Sequence, residues 1–390
     1  MEIKVTGLDS IRPIRGIETD ELERLITEVE LLNYIKKDYK KLIAENLKEN
    51  YSELWERLTA MKERSSYAKM RYYQLLPYFE KGNLEAMISK EFDDQIVKNG
   101  WIPAQLYVIS GLSGGGKTSL AIMISAVLIS GFNPLFSEKD KQKQAKVLYV
   151  NLEQANEELE KRMISLFSVL NDIKSGIPYS SLMNAKNLSD KDSLQNLKIG
   201  SYIYSKFCEN FIILNNNDFD TNDIDDIYKK IMEVHSQNHC DIVIIDQYSN
   251  IKDSDEISER IATTLRDMAR TLNIVVIVLA QMNKISQRES MNENGIVDVN
   301  KISGIALKGA SALEQQASNV TFIIPAGKQK KQYGKDGKVV TVVNKKGRYG
   351  TGDQISMVFL SEFNLFLDIK EVDTIDNNNA IQEVYFDDKV

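Results

Sequence analysis

The chain has 390 residues, 43% of them hydrophobic, and carries a formal net charge of −7. That length can bury one large core and leave about a hundred residues for an accessory region, while the negative charge excludes a protein that coats nucleic acid with its whole surface. Two cysteines, Cys208 and Cys240, exclude a disulfide framework and favour a cytoplasmic location, and no apolar run is long enough to span a bilayer, so we expect a soluble protein without a membrane partner.

Residues 1–80 are predicted to form a small all-helical region. From Thr19 to about Tyr78, apolar and charged residues alternate at spacings of three and four, and glycine is absent. One apolar stripe is typical of the buried face of a bundle or of a surface for a partner helix; it consists of Leu22, Leu25, Ile26, Val29 and Leu32. We predict a collar that binds partners or oligomerises at 1–80, a linker at 81–103 and a polar tail at 371–390.

Residues 104–370 have the pattern of an α/β domain. Short apolar runs alternate with helical stretches, and runs that are apolar on both faces indicate a mostly parallel sheet covered by helices. The runs are Leu106–Ser110, Val147–Asn151, Phe211–Leu214, Asp241–Asp246, Ile274–Ala280, Val320–Ile324, Val339–Val343 and Ile355–Leu360. Because the last three runs lie closer together, we expect them to form antiparallel additions to the sheet.

A phosphate loop of the form G-x-x-x-x-G-K-[ST] lies between the first predicted strand and a predicted helix, Ser119–Ile129. In such a loop, backbone N–H groups converge on phosphate oxygens, the lysine adds a positive charge and the hydroxyl ligates Mg²⁺. We predict that this segment binds ATP and Mg²⁺. The residues are Gly111, Ser113, Gly114, Gly115, Gly116, Lys117, Thr118 and Ser119.

Three further site residues are predicted at the ends of neighbouring strands. Asp246 ends a buried run and is expected to hold Mg²⁺ together with Thr118. Many ATPases place a glutamate after this aspartate, but Gln247 stands here, so the base must come from elsewhere; Glu153, just past another strand, is the candidate. Gln281, at the end of a third strand, is placed to sense the γ-phosphate. Taken alone, such an aspartate or glutamate is also typical of a helix start.

Two other patterns have alternative interpretations. The segment 328–348 carries eight lysines and arginines against the single acid Asp336, which indicates either a local basic channel or a solvated hairpin. His235, His239 and Cys240 are residue types that bind zinc, but they lack a fourth spaced ligand, so a zinc site is the weaker interpretation.

In this order and spacing, the residues resemble the C-terminal motor domain of the DnaB-family replicative helicases, a superfamily 4 group, over roughly residues 80–370. The segment 151–154, Asn-Leu-Glu-Gln, is similar to the family's Ser-Leu-Glu-Met, whose glutamate is the catalytic base, which implies that role for Glu153. The segment 280–283, Ala-Gln-Met-Asn, resembles the family's Ser-Gln-Leu-Asn. The resemblance implies a RecA-like fold and a ring of subunits.

Two segments separate a helicase from a generic ATPase. Residues 307–315 resemble the segment that carries DNA-binding contacts in the channel of the ring, with Lys308 in place of an arginine and Gly309 in place of a glutamate. Residues 346–352 resemble the segment whose lysine and arginine reach the γ-phosphate of the adjacent subunit, which implies a trans-acting pair, Lys346 and Arg348. The residues expected to hold single-stranded DNA are Lys284, Arg288, Lys301, Lys308 and Gly309.

The sequence thus predicts an ATP-dependent hexameric DNA helicase that translocates on single-stranded DNA in replication, with a primase or a helicase loader as further partner. The N-terminal region departs from the family, whose helical domain and linker are longer, so a shortened or unrelated collar is implied. Two alternatives remain open. One is a RecA-like ATPase of another class, such as a recombination mediator or a protein-remodelling ATPase; the other is a nucleotide-gated assembly platform that hardly hydrolyses ATP.

Overall fold

A computed structural model describes residues 84, 88–89, 91–98, 100–131, 144–183, 190–254, 256–293, 297–302, 311–347 and 353–369. These residues belong to the compact unit Gly82–Val390. Several predictions lie outside the described residues: the N-terminal helices, the polar tail, Lys308, Gly309, Arg348 and the side chain of Lys284. Within the described part of the chain, no helix is long and apolar enough to cross a bilayer.

One sheet of nine strands organises the described residues, in the order β3-β2-β4-β5-β1-β6-β7-β8-β9. The strands are β1 (Gln105–Gly111), β2 (Val147–Asn151), β3 (Phe211–Asn215), β4 (Ile242–Asp246), β5 (Val275–Gln281), β6 (Asn319–Gln332), β7 (Lys335–Gly347), β8 (Gln354–Leu360) and β9 (Leu365–Asp368). Strands β3 to β6 of that order pair in parallel, and β6, β7, β8 and β9 pair antiparallel. The predicted α/β fold with a mostly parallel sheet is confirmed.

Helices connect the parallel strands. They are α1 (Lys117–Ser130), α2 (Asn156–Asn171), α3 (Tyr179–Leu182), α4 (Lys191–Ser205), α5 (Ile224–Asn238), α6 (Ser258–Leu272), α7 (Lys284–Ser290) and α8 (Ser311–Gln316). Asp223 caps α5 by accepting from the N–H groups of Asp225 and Asp226. Helix α6 is followed by Asn273, whose positive φ of 51° is typical of a left-handed C-terminal cap.

The sheet separates two hydrophobic cores. Alternate residues of β4 point to opposite faces, so that Ile242 and Ile244 lie in the first core and Val243 and Ile245 in the second. Helices α1 and α2 cover the first face, and α5 and α6 cover the second. Because both faces are buried, the central strands are continuously apolar, and their polar end residues meet at one edge of the sheet.

The structure differs from the sequence predictions at the edge of the sheet. Strand β9 was missed because its apolar run is only four residues long and follows β8 through a tight turn at Asn364 (φ 56°). Strands β6 and β7 extend well beyond their predicted apolar runs as an antiparallel hairpin, closed by Tyr333 and Gly334, both with positive φ. The outer part of this hairpin is held by backbone pairing, and its side chains Lys328, Lys331 and Lys338 are exposed, so the sequence has no apolar pattern there. Of the two interpretations of 328–348, the structure shows a hairpin over its described residues.

Part of the segment 81–103 is packed into the first core. Ile88, Phe92, Ile96 and Trp101 are each at most 2% exposed, and a π-helical turn spans Phe92–Ile96. A backbone bridge joins Leu84 to Trp101. The chain entering β1 is therefore anchored on the same face of the sheet as α1.

Candidate functional site

The phosphate loop joins the end of β1 to the start of α1 and depends on its glycines. Gly114 and Gly116 have φ values of +69° and +102°, which disfavour any other residue. A Cβ on Gly116 would also lie 3.1 Å from the rings of Phe359 and Phe366, and one on Gly111 would clash with the carbonyl oxygen of Ile323. The loop is thus pressed against β6, β8 and β9, with its backbone turned to the N-terminus of α1.

Lys117 is folded into the curve of this loop. Its Nζ donates to the carbonyl oxygens of Gly111 (3.3 Å) and Leu112 (2.9 Å), and the side chain is buried. Burial lowers the pKa of Lys117, while the negative charges of Asp246 and Glu153 oppose that shift. The structure therefore brings together three residues that the sequence predicted separately.

Thr118 and Asp246 are in direct contact. The Thr118 hydroxyl donates to Oδ2 of Asp246 at 2.9 Å, although the two residues are 128 positions apart. Asp246 ends β4 and is 1% exposed, and the peptide bond to Gln247 is cis. Burial raises the pKa of Asp246 to about 6, against hydrogen bonds from Tyr149 and Thr118 that lower it. The carboxylate is therefore costly to ionise in the absence of a cation.

These two residues fit a Mg²⁺ ion. Hydroxyl and carboxylate oxygens are the hard ligands that Mg²⁺ prefers, usually one or two from the protein with the rest from substrate phosphates and water. A divalent cation would also offset the cost of ionising the buried Asp246. Among the described residues, no group of three His, Cys, Asp or Glu side chains could hold a metal by itself, and His235, His239 and Cys240 form no such group.

The turn that carries Glu153 is fixed by two asparagines. Asn151 is the register partner of Asp246, and its Oδ1 accepts from the N–H groups of Glu153 (3.4 Å) and Gln154 (3.0 Å). Asn250 donates to the carbonyl oxygen of Leu152 at 2.9 Å. The Glu153 carboxylate is exposed and lies close enough to influence Lys117 and Asp246. The sequence did not single out these asparagines, although asparagine at a strand end is a turn signal.

Gln281 lies beside the start of the phosphate loop. It is the last residue of β5 and the register partner of Gly111, and the next N–H, of Met282, donates to the Gly111 carbonyl at 3.1 Å. Helix α7 begins three residues later, capped by Asn283. A short, hydrogen-bonded path therefore runs from the loop to the segment that was predicted to bind DNA.

The predicted DNA-binding residues are only partly described. Arg288 is exposed on α7, and Lys301 is exposed at the end of a 3₁₀ turn, Val299–Lys301. The hydroxyl of Ser290 donates to the Lys301 carbonyl at 3.3 Å, which ties the two segments together.

Lys346 lies away from the phosphate loop of its own chain. It pairs with Val320 of β6, which pairs with Val108 of β1, three residues before Gly111 and toward the opposite edge of the sheet. Its Nζ donates to the carbonyl oxygens of Glu314 (2.6 Å) and Gln315 (2.9 Å) at the end of α8. The structure does not bring this residue into the site formed by Lys117, Thr118 and Asp246.

Two contacts beside the loop were not foreseen. Tyr149, within the apolar run of β2, donates its hydroxyl to Asp246 Oδ2 at 2.8 Å. The Ser119 hydroxyl donates to Asn364 Oδ1 at 2.9 Å, and Arg162 Nη1 donates to the same oxygen at 2.9 Å. The second contact ties α1 and α2 to the turn between β8 and β9. Nothing in the sequence signals either contact, because the partners are far apart in the chain.

Comparisons with known proteins agree with this geometry. A family model described as the DnaB-like helicase C-terminal domain matches residues 88–368, more than half of the chain. A solved structure described as an ATPase domain has a TM-score of 0.56 at 20% identity, covering 78% of this chain and 98% of that one. A DnaB-like replicative helicase, described with its interactions with primase, has a TM-score of 0.57 at 18% identity, covering 90% of this chain and 77% of that one. No curated protein sequence matches significantly. The two structures show that the fold is RecA-like.

Proposed function

The chain belongs to the family of DnaB-like helicase C-terminal domains, and on that basis we propose that it is an ATP-dependent DNA helicase that assembles into a hexameric ring and translocates on single-stranded DNA during replication. The observation that carries the ATPase part is the hydrogen bond between Thr118 and Asp246. It joins the phosphate loop to the carboxylate of a neighbouring strand, beside Lys117, in the arrangement that phosphate-loop ATPases use.

The phosphates of ATP are held by the backbone of residues 113–118. Lys117 donates to two carbonyls of the same loop, and its ammonium would exchange these acceptors for phosphate oxygens when nucleotide binds. Thr118 and Asp246 would hold Mg²⁺, which when bound neutralises charge on the phosphates. Glu153 accepts a proton from the attacking water, and its fixed turn keeps it at the edge where the phosphates lie.

Lys346 supports a site that is completed by a neighbouring subunit. Since it lies toward the opposite edge of the sheet, it cannot serve its own phosphate loop without leaving β7. We therefore assign it, with Arg348, to the γ-phosphate of the adjacent subunit, where positive charge stabilises the transition state. Arg348 joins the pair through the family resemblance.

In this proposal, ATP hydrolysis is coupled to DNA binding through β5. Gln281 is the register partner of Gly111 at the start of the phosphate loop, and the chain continues from it into α7. We propose that Gln281 senses the γ-phosphate, and that loss of the phosphate repositions the exposed Arg288. Arg288 and Lys301, with Lys284, Lys308 and Gly309, grip the phosphate backbone of single-stranded DNA without reading its sequence. Such a grip weakens as salt increases. A primase or a helicase loader is the protein partner that we propose.

Replacement of Lys117 by alanine tests the nucleotide site directly. We expect the rate of ATP hydrolysis, with or without single-stranded DNA, to fall by roughly 10²-fold or more, because the ammonium group that stabilises the negative charge of the transferred phosphate is lost. Turnover like that of the wild type would overturn the assignment of the loop. ATPase activity without DNA stimulation or unwinding of forked DNA would favour a RecA-like ATPase of another class, and a mass that stays monomeric with a non-hydrolysable ATP analogue would exclude the ring.

A further inference from the structure

Tyr149 places a buried hydroxyl group on the magnesium carboxylate. The side chain is 0% exposed and lies in β2, whose other central residues are Leu148 and Val150. Its hydroxyl donates to Oδ2 of Asp246 at 2.8 Å, the same oxygen that accepts from Thr118 at 2.9 Å. A buried hydroxyl without a hydrogen-bond partner costs about 1–3 kcal/mol. The hydrogen bond to Asp246 therefore contributes to the stability of the folded chain.

Neighbouring strands fix the direction of the phenol. Tyr149 is the register partner of Ile244, two residues before Asp246, so that the ring and the carboxylate lie on the same face of the sheet. Phe211 of β3 contacts the other side of the ring edge-on, with centroids 5.9 Å apart. A phenol is protonated at neutral pH, so the hydroxyl is the donor in its hydrogen bond to the carboxylate. The tyrosine is thus a rigid donor that is set by packing.

The two donors on Oδ2 differ in what else they must do. Thr118 lies on the phosphate loop, and its oxygen is required by the metal when nucleotide binds. Tyr149 lies in the core on β2, outside the phosphate loop, and its hydroxyl donates to Asp246. The tyrosine therefore keeps the carboxylate oriented whether or not nucleotide is present, which reduces the ordering cost of binding the cation.

We infer that Tyr149 is a positioning residue that orients Asp246 for Mg²⁺ and thereby strengthens the magnesium-dependent part of nucleotide binding. The inference rests on the proposed function, because it assumes that Thr118 and Asp246 hold Mg²⁺. It assigns to Tyr149 no contact with the substrate. The expected consequence is a selective loss, in which nucleotide binding in the absence of metal is unaffected.

Tyr149→Phe in the full chain tests the inference by removing one oxygen atom and keeping the ring. Binding of a fluorescent ADP analogue is measured while Mg²⁺ is varied, and again in EDTA. We expect the Mg²⁺ concentration at half-saturation to rise about tenfold, because a hydrogen bond to a charged group is lost, with affinity in EDTA unchanged. Binding of Mn²⁺ in the presence of ADP, followed by electron paramagnetic resonance, should weaken to a similar extent.

Tyr107→Phe is the matched control. Tyr107 is 4% exposed in β1, which is separated from β2 by β4 and β5, and its hydroxyl accepts from the N–H of Ile102 at 2.8 Å, away from the carboxylate. Both variants should lose similar thermal stability, but only Tyr149→Phe should change the Mg²⁺ dependence. An unchanged dependence in Tyr149→Phe, an equal change in Tyr107→Phe, or an equal loss of affinity in EDTA would overturn the inference. Absence of Mg²⁺-dependent binding in the wild type would instead overturn the proposed nucleotide site.

Discussion

Two regions of the sheet differ in how far a single chain completes them. At the carboxyl ends of β1, β2 and β4, the polar groups of the site are already held by partners: Lys117 by loop carbonyls, and Asp246 by Thr118 and Tyr149. In the β6–β7 hairpin, Lys328, Lys331 and Lys338 are exposed and the other lysines are half-buried. Lys346 is held by two carbonyls near the end of α8. The polar groups of the first region are therefore ordered by contacts within one chain, whereas Lys346 in the second region lies away from the phosphate loop of its own chain.

The difference indicates how hydrolysis can depend on assembly. A carboxylate, a hydroxyl and an ammonium that meet in one chain suffice to bind a nucleotide with its metal. We propose that the charge that stabilises the transition state is supplied by Lys346, in another part of the sheet, and that it acts on the nucleotide of the next subunit. Binding should therefore be a property of the chain, and rapid hydrolysis a property of the assembly.

The largest expected effect is on the rate of ATP hydrolysis, and it comes from replacing the proposed base in the first region. Glu153→Gln keeps the shape of the side chain and removes the base, so we expect the ATPase rate to fall by roughly 10²- to 10⁴-fold with ADP binding unchanged. Glu157→Gln, an exposed glutamate in the first turn of α2, is the matched control and should have no effect. If the ATPase rate of Glu153→Gln stays within twofold of the wild type, Glu153 is not the base.

The second effect tests whether Lys346 acts across a subunit boundary. Lys346→Ala should lower hydrolysis on the order of 10²-fold, the usual effect of removing one group that stabilises a developing charge. Lys117→Ala should be inactive for a different reason, because its phosphate loop has lost its lysine while its Lys346 is intact. Mixing the two inactive variants creates boundaries with an intact loop on one side and an intact Lys346 on the other, so we expect activity to return.

Complementation also separates a chemical role from a structural one. Lys346 binds carbonyls of Glu314 and Gln315, so its loss could disturb α8 within the same subunit. A subunit that had lost its fold would not be rescued by its neighbour. Lys345→Ala, the preceding residue on β7, is the control and should hydrolyse ATP normally. If mixtures stay as inactive as either variant alone, the trans-acting role is wrong.

The sequence predicted those parts of the site that are local in the chain. The phosphate loop is one continuous segment. Asp246, Glu153 and Gln281 lie at or just past the ends of apolar runs whose parallel pairing could be inferred, so their position at one edge of the sheet followed from the strand pattern. Tyr149 and Asn364 could not be found in this way. Their contacts cross 97 and 245 positions to Asp246 and Ser119, and a tyrosine in an apolar run reads as core. Strand β9 was missed for a related reason, since only pairing with β8 distinguishes so short a run.

The smallest expected effect measures what the organised region costs the fold. Because burial raises the pKa of Asp246 from its ordinary 3.8 to about 6, the folded chain holds this proton more tightly than the unfolded chain. Stability from this group is therefore present at low pH and lost as pH rises through about 6, a penalty on the order of 3 kcal/mol at neutral pH. An amide has its own burial cost, so Asp246→Asn should gain roughly 2 kcal/mol in unfolding free energy in EDTA.

Urea denaturation at pH 7.5 and pH 5, with and without Mg²⁺ and ADP, measures the difference in unfolding free energy between the wild type and Asp246→Asn. The gain of Asp246→Asn should be smaller at pH 5, where the folded wild type is already mostly protonated at this group. Adding Mg²⁺ and ADP should stabilise the wild type more than the variant, because only the wild type offers the cation a carboxylate. A variant that is less stable than the wild type in EDTA would show that the hydrogen bonds from Thr118 and Tyr149 outweigh the cost of burial. The ionised Asp246 carboxylate would then be stabilised by its hydrogen bonds alone, without a bound cation.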